Sequence, residues 1–593
     1  MVVMALPNTN TLSEAAVAVR RVRIWYGVLL VLFAVVVVRL FYVQIIRYDH
    51  YKNAALSDQL KQYQIPAARG IISAHDGNST VAIVLNEQLY TLYADPTFIK
   101  HPDVVATKLA SIIGGQPKTY SDLLKAKNTR YVVLAKRLNS DNQAKVLALR
   151  YPGVGAQAQN YRTYPQGALA GQELGFVSDN GTGEYGVEQA LNKQLSGVPG
   201  QLRAITDISG VPLAASKDNI EVAPQNGTDV TLTIDLAMQH QLEAILQQGA
   251  EKTHTQRASA LIMDVNSGAI KAMANFPSYD PSQYSKVTDP NIFQNGAVSD
   301  PIEPGSIMKA LTTAAALDQG VIQPGTTYYD PAHWLVDGFT IKNIEEDGGA
   351  GTKSLYDLLN LSLNTGATWE LMQMGGGEIN TKARAAWYDY LTNHYMFNKP
   401  TGVEQGYESG GLVTGPNDTG SAINLTYAET SFGQAILTTP IQMSAALSAV
   451  LNGGTYYQPH LVDAVTDSSG KSIPQSSKIV KSNAFKATTG QALAPMLQYS
   501  LQHHNPQPAF DQTKYIVGGK TGTAQLAVKG VYSDTEFNGT YLGFVGGNKV
   551  QYVICVYMQK PVVDYYAGTA AAQPVFVNLA HMLINNSYVA PKQ

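Results

Sequence analysis

Apolar residues fall along this chain in runs of distinct length and period, and each kind predicts a different element. Residues 25–38 are uncharged and apolar, short alone for a bilayer, which takes roughly 20 residues, but sufficient when continued through Arg39 to Ile46. A second long stretch, residues 307–317, stops at Gly320 and reads as a buried helix. Leu355, Leu358, Leu359 and Leu361 mark another helix, ending in a corner at Ser362. Residues 131–134, 230–235, 516–526, 541–545 and 552–557 are short β-branched or aromatic runs and read as strands. Residues 260–265 and 269–273 flank Asn266-Ser267-Gly268 and predict a β-hairpin. The whole pattern is α+β, a helical region against an antiparallel sheet.

The same pattern divides the chain. Arg20, Arg21 and Arg23 precede the apolar segment with only Glu14 opposing them, so the positive-inside rule places a short tail, 1–23, in the cytoplasm. A single transmembrane helix is expected over 24–46, with Arg39 snorkelling at its outer end. Arg-Leu-Phe-Tyr follows Val38 where a cleavage site needs small residues, so the anchor is expected to stay uncleaved. Residues 47–222 alternate strand-like runs with polar and Gly-rich connections, and Asn226-Gly227 marks the turn into a final domain, 223–593.

Composition removes some functions. A net charge of −3 gives no general attraction to nucleic acid. A single cysteine permits no internal disulfide, and Cys555 in its apolar strand reads as a small core residue. No His-rich or Cys-rich cluster suggests a metal site, and no organic cofactor is expected.

The candidate chemistry lies in three short motifs in the final domain: Ser306-Ile307-Met308-Lys309, Ser362-Leu363-Asn364 and Lys520-Thr521-Gly522-Thr523. A Ser-x-x-Lys is expected by chance about once or twice in a chain of this size. A second copy, Ser468 to Lys471, lies in a polar, Gly-containing run, and Ser-Asp-Asn triplets at Ser140 and Ser178 precede any candidate nucleophile; all three read as turns. Ser306 instead opens a buried helix, where the helix dipole and unpaired N–H groups favour an anion, and Lys309 falls one turn on, on the same face. A lysine set among Ile307, Met308, Ala310 and Leu311 is expected to be partly desolvated and paired. Lys520 sits in a strand heading a meander, which offers an edge to an extended peptide, and Gly522 is expected to let a ligand backbone approach.

In this order the motifs match the signature of penicillin-recognising serine enzymes, and the chain resembles a monofunctional class B penicillin-binding protein, closest to the division-specific branch. The resemblance extends to Arg39-Leu40-Phe41-Tyr42, Arg69-Gly70-Ile71-Ile72, Arg162-Thr163-Tyr164-Pro165, Tyr185-Gly186-Val187-Glu188, Leu195-Ser196-Gly197-Val198-Pro199-Gly200, Ser431-Phe432-Gly433-Gln434 and Thr439-Pro440-Ile441-Gln442. One block departs from the family: Ala74-His75-Asp76-Gly77 stands where an Asp-Arg-Asn-Gly-like turn is usual.

The resemblance implies a serine transpeptidase fold at 223–593 and an extended pedestal, or dimerisation-like, domain at 47–222. It implies a peptidoglycan DD-transpeptidase whose Ser306 is the nucleophile, Lys309 the general base and Ser362 the proton relay. Asn364 would hold Lys309 and the substrate amide. Lys520, Thr521 and Thr523 would bind the donor carboxylate beside Gly522, and the N–H groups of Ser306 and Thr523 would form the oxyanion hole. The implied partners are stem peptides, β-lactams as covalent inhibitors, a membrane-embedded glycosyltransferase and divisome proteins. No Glu-x-x-Leu-Asn block follows Asn364, the nearest echo being Glu378-Ile379-Asn380, so slow hydrolysis of the acyl-enzyme is expected. An elongation-type transpeptidase, a β-lactam sensor and a catalytically silent septal scaffold are the alternatives.

Overall fold

The computed structural model describes residues 10–51, 60–205, 220–343, 349–418, 422–467, 469–504, 510–528, 531–564 and 566–593. Ser468, which opens the second Ser-x-x-Lys, lies outside them. Two compact units emerge: residues 1–67 with 198–225, and residues 68–197 with 226–593.

In the first unit the N-terminal apolar run is a helix, Asn10–Phe41, continued by a π-turn through Tyr42–Ile46. Val19–Ile46 is long and apolar enough to span a membrane, and its large side chains, such as Leu30, Val31 and Phe33, are exposed on every side. Leu60–Ile65, Gly200–Ile205 and Ile220–Val222 form a small antiparallel sheet in the same unit.

The second unit contains two larger sheets. One has seven strands, in which Ile72–Asp76, Ser79–Ala94, Val132–Leu138 and Val154–Thr163 are joined by Val230–Asp235, Val462–Thr466 and Ser472–Pro474. Val230 lies parallel to Ile72, so backbone hydrogen bonding runs straight across the division expected near residue 222. The physical reason is that a buried strand edge must pair its N–H and C=O groups, and the strand at 72–76 finds its partner after that division.

Three of the blocks quoted above meet in a buried ion cluster. Arg69 Nε donates to Glu188 Oε2 at 2.6 Å and Arg162 Nε donates to Glu188 Oε1 at 2.8 Å. The remaining guanidinium donors reach Asn192 Oδ1, Asn86 Oδ1 and the carbonyls of Glu188 and Gly70. Glu188 is fully buried. Burial draws the Arg162 guanidinium below its usual pKa, against the opposing pull of the Glu188 charge. In the block that departs from the family, His75 Nε2 lies 3.1 Å from Asp463 Oδ2.

The two Ser-Asp-Asn triplets separate. Ser178 to Asn180 is a turn, with Ser178 N–H bonded to the Thr182 carbonyl. Ser140 is not in a turn: it opens the helix Ser140–Ala148, because the Asn139 side chain caps the Asn142 N–H.

The second large sheet is wholly antiparallel. Its strands are β1 (Arg257–Asp264), β2 (Ile270–Phe276), β3 (Ile516–Val528), β4 (Val531–Gly546) and β5 (Val550–Gln559), in the order β2-β1-β5-β4-β3. β1 and β2 form the expected hairpin, Met263 opposite Ile270. One face, including Leu261, Met273 and Cys555, packs on helices Met308–Gln319 (α1) and Pro440–Leu451. The other, including Ala260, Ile262 and Ile554, packs on Leu236–Lys252 and Gln573–Asn585. Cys555 is a core residue, its thiol pushed up to about 12 by burial. β3 is an edge strand of this sheet.

Candidate active site

The nucleophile candidate is set by a stitched loop. Ile302 and Thr438 exchange backbone hydrogen bonds of 2.8 and 2.9 Å, and Gly305 N–H donates to the Gly433 carbonyl at 3.0 Å. Gly305 has a φ of +63°, and a Cβ on Gly433 would stand 2.0 Å from the Gly305 oxygen. Residues 305–307 then form a single 3-10 turn, and α1 runs on from Met308 to Gln319 until Gly320 ends it. Ser306 is half-buried at this helix entry.

Lys309 is fully buried one turn later. Its Nζ donates to the Ser362 carbonyl and, at 3.1 Å, to Ser362 Oγ. Ser362 achieves this double contact because its backbone is left-handed, φ +57°, at a corner between helices Leu355–Asn360 (α2) and Asn364–Gly375 (α3). The corner was expected from the apolar period of α2, whereas the helix that Asn364 opens was not. Asn364 Nδ2 donates to the Lys342 carbonyl at 3.2 Å.

β3 closes the other side. Lys520 is 1% exposed and donates to the Thr521 carbonyl and hydroxyl at 3.1 and 3.3 Å. Gly568 N–H donates to Thr523 Oγ1 at 3.1 Å. A Cβ on Gly522 would stand 2.2 Å from Thr540 Oγ1 and 2.8 Å from the Pro304 carbonyl oxygen. The close approach it allows is that of the nucleophile turn, which Thr540 ties to the sheet by donating to Pro304 O at 2.8 Å.

Two carboxyl groups near this assembly escaped the reading of the motifs. Glu370, fully buried on α3, accepts from Thr313 Oγ1 at 3.1 Å, and burial pushes its carboxyl well above the usual range despite the opposing charge of Lys309. A lone acid in the apolar run from Ala367 to Met374 was the available signal. Glu429 is pushed up to about 7 by burial and by the charge of Glu303, whose Oε1 accepts from Ala435 N–H at 2.8 Å.

The arrangement therefore places a serine at a helix entry, a buried lysine bonded to a second serine, and a strand edge carrying lysine and threonines against one turn. Residues 258–581 match the family described as the penicillin binding protein transpeptidase domain, and residues 64–232 match the penicillin-binding protein dimerisation domain. Stage V sporulation protein D of Bacillus subtilis is 28% identical, over 95% of this chain and 85% of its own length. The probable peptidoglycan D,D-transpeptidase PenA of Neisseria gonorrhoeae is 23% identical, over 99% of this chain and 96% of its own. The crystal structure of penicillin binding protein 3 from Mycobacterium tuberculosis in complex with aztreonam superposes with a TM-score of 0.66 at 22% identity, covering 89% of this chain and 98% of that one.

Proposed function

Because this chain belongs to the penicillin-binding protein transpeptidase family, we propose that it is a peptidoglycan D,D-transpeptidase acting through an acyl-enzyme on Ser306. The observation that carries the reading is the contact of buried Lys309 Nζ with Ser362 Oγ, one helical turn from Ser306. It places a candidate base and a candidate relay side by side in a water-poor setting.

In the proposed reaction, Ser306 Oγ adds to the carbonyl of the penultimate D-alanine of a stem peptide and gives its proton to Lys309. Ser362 passes that proton to the nitrogen of the departing D-alanine as the peptide bond breaks and the ester forms. An acceptor amine then attacks the ester, a new amide forms, and its proton returns to Ser306 through Lys309. Thr521, Thr523 and Lys520 receive the donor's terminal carboxylate along β3, Asn364 orients the amide, and the N–H groups of Ser306 and Thr523 stabilise the oxyanion. A β-lactam enters by the same first step.

The apolar helix at 19–46 supports a single-pass anchor in the plasma membrane, with the tail at 1–23 cytoplasmic and the catalytic domain outside. We place the pedestal at 47–222 and the transpeptidase domain at 223–593 as functional divisions, and assign the enzyme to septal wall synthesis with a membrane glycosyltransferase and divisome proteins as partners.

A fluorescent penicillin tests the assignment. It should attach to Ser306, be abolished by Ser306→Ala and persist for many minutes, and turnover of a thioester stem-peptide mimic should accelerate when a D-amino acid is added as acceptor. Rapid release of hydrolysed penicillin, or turnover indifferent to the acceptor, sinks the transpeptidase in favour of a hydrolase.

A second expectation concerns Gly522. Gly522→Ala forces its new methyl group into Thr540 and Pro304. Overpacking of this kind costs roughly 1–3 kcal/mol, and here it displaces the nucleophile turn, so acylation should slow by about tenfold or more. Stopped-flow acylation with a chromogenic β-lactam measures it, and wild-type rates in a folded variant would show that the turn tolerates the shift.

A further inference from the structure

The corner that carries Ser362 and Asn364 is held from outside its own motif. Ser362 is a non-glycine residue with φ +57°, a strained conformation that persists only where its surroundings fix it. The helix that follows offers little of that support itself: Leu363 stands at the N-cap of α3 and has no side-chain oxygen for the first N–H groups. The missing cap comes from another segment. Thr365 N–H donates to Asn343 Oδ1 at 3.0 Å, 22 residues away in sequence.

Asn343 is fixed in turn by Asp330. Asn343 Nδ2 donates to Asp330 Oδ2 at 3.1 Å and to Thr365 Oγ1 at 2.6 Å, and Thr365 Oγ1 donates to the same Asp330 oxygen at 2.7 Å. Asp330 Oδ1 accepts from Ala332 N–H at 2.8 Å, so both of its oxygens are used as acceptors. Asp330 and Thr365 are fully buried, and Trp334 Nε1 closes the cluster by donating to the Thr365 carbonyl at 3.0 Å. The cluster reaches the site through one peptide unit: the carbonyl of Lys342, the residue before Asn343, accepts from Asn364 Nδ2. Asp330 is also tied to the other side of the corner. It lies opposite Gly351 in the strand pair Thr327–Asp330 and Gly351–Ser354, and Ser354 caps α2, the helix that runs into Ser362.

We propose that Asp330 and Asn343 are positioning residues of the acyl-transfer site: they hold the start of α3, aim the Asn364 side chain, and so set how strongly the site selects a substrate with an amide beside the reacting carbonyl. This rests on the transpeptidase reading above, in which Asn364 orients that amide. Neither residue touches the substrate. A buried cluster in which each donor has a placed acceptor is polarised as a unit, so a change in the polarity of one atom at Asp330 is transmitted to Asn364.

The test compares second-order acylation rates of the full-length protein in detergent micelles with two penicillins. One is benzylpenicillin; the other is 6-aminopenicillanic acid, the same nucleus without the side-chain amide. The ratio of the two rates measures selection for the amide, and Asn364→Ala sets the scale of its loss. Asp330→Asn keeps size and shape but turns one acceptor oxygen into a donor, and Asn343→Ala alters a half-buried position. Each should lower the ratio about threefold to tenfold, the effect of one hydrogen bond. Thr365→Val should do the same, and Thr365→Ser, which restores the hydroxyl, should recover most of the loss. A cluster that serves packing alone lowers Tm and slows both penicillins alike. Wild-type ratios in folded Asp330→Asn and Asn343→Ala proteins, or equal slowing of both penicillins, therefore overturn the proposal, as does a wild-type ratio in Asn364→Ala. Should Asp330→Asn not fold, Asn343→Ala and the two Thr365 variants decide by the same measure. Rapid release of hydrolysed penicillin by the wild type strikes the transpeptidase reading instead and leaves the comparison of ratios standing.

Discussion

Replacing Lys309 should reduce penicillin acylation by about 10² to 10⁴-fold, the range of a positioned general base. Lys309→Met keeps the length and apolar stem of a side chain that is completely buried, while removing the amine that contacts Ser362. Lys309→Arg keeps a cation but supplies a guanidinium that stays protonated at every accessible pH and so takes no proton from Ser306. The two substitutions together separate charge from basicity. If the lysine serves only as a cation for the site, Lys309→Arg recovers most of the rate; if it is the base, neither variant does. Acylation is followed with a fluorescent penicillin on protein whose melting transition confirms the fold. A folded Lys309→Met enzyme acylating within tenfold of wild type removes the lysine from the base role.

The second large effect lies far from the nucleophile. Glu188→Ala should destabilise the second unit by about 3–5 kcal/mol, because it leaves Arg69 and Arg162 buried with no carboxylate between them. For a unit of this size that corresponds to a fall in Tm of about 3–5 °C. Glu188→Gln, which still accepts hydrogen bonds but carries no charge, should fall between the two. Asp122→Ala, at an exposed position, should stay within about 0.5 kcal/mol of wild type. Differential scanning calorimetry on the set decides the matter. A Glu188→Ala protein as stable as the Asp122→Ala control would mean that the cluster gains no more from pairing than its desolvation costs, and that the arginines find other partners.

Much of the site was legible because its chemistry is local. Ser306 and Lys309 lie one turn apart, and the apolar period that follows them sets the helix and its buried face, so their common side and the burial of the lysine follow from residue order. Lys520-Thr521-Gly522-Thr523 sits in a β-branched run before two further strands, and such runs pair as a meander. The decoy at Ser140 misled for an equally local reason: the cap came from Asn139, one residue earlier, outside the triplet being weighed.

The sequence alone, then, specified the apolar N-terminal helix, the α+β character, the hairpin at 260–273, the helix behind Ser306 and the types of residue available for acyl transfer. These depend on period, turn chemistry and side-chain identity over a few residues. Three things were decided only by the fold. Ser362 meets Lys309 because a left-handed residue turns the corner between α2 and α3, which no spacing prescribes. Gly522 lies against Pro304 and Thr540, because β4 and the nucleophile loop converge on it from 18 and 218 residues away in sequence, positions set by strand register. Val230–Asp235 joins Ile72–Asp76 across the expected division because a buried strand edge must satisfy its backbone wherever a partner lies. Local pattern fixes which elements exist; long-range pairing, which must satisfy every buried polar group at once, fixes which of them meet.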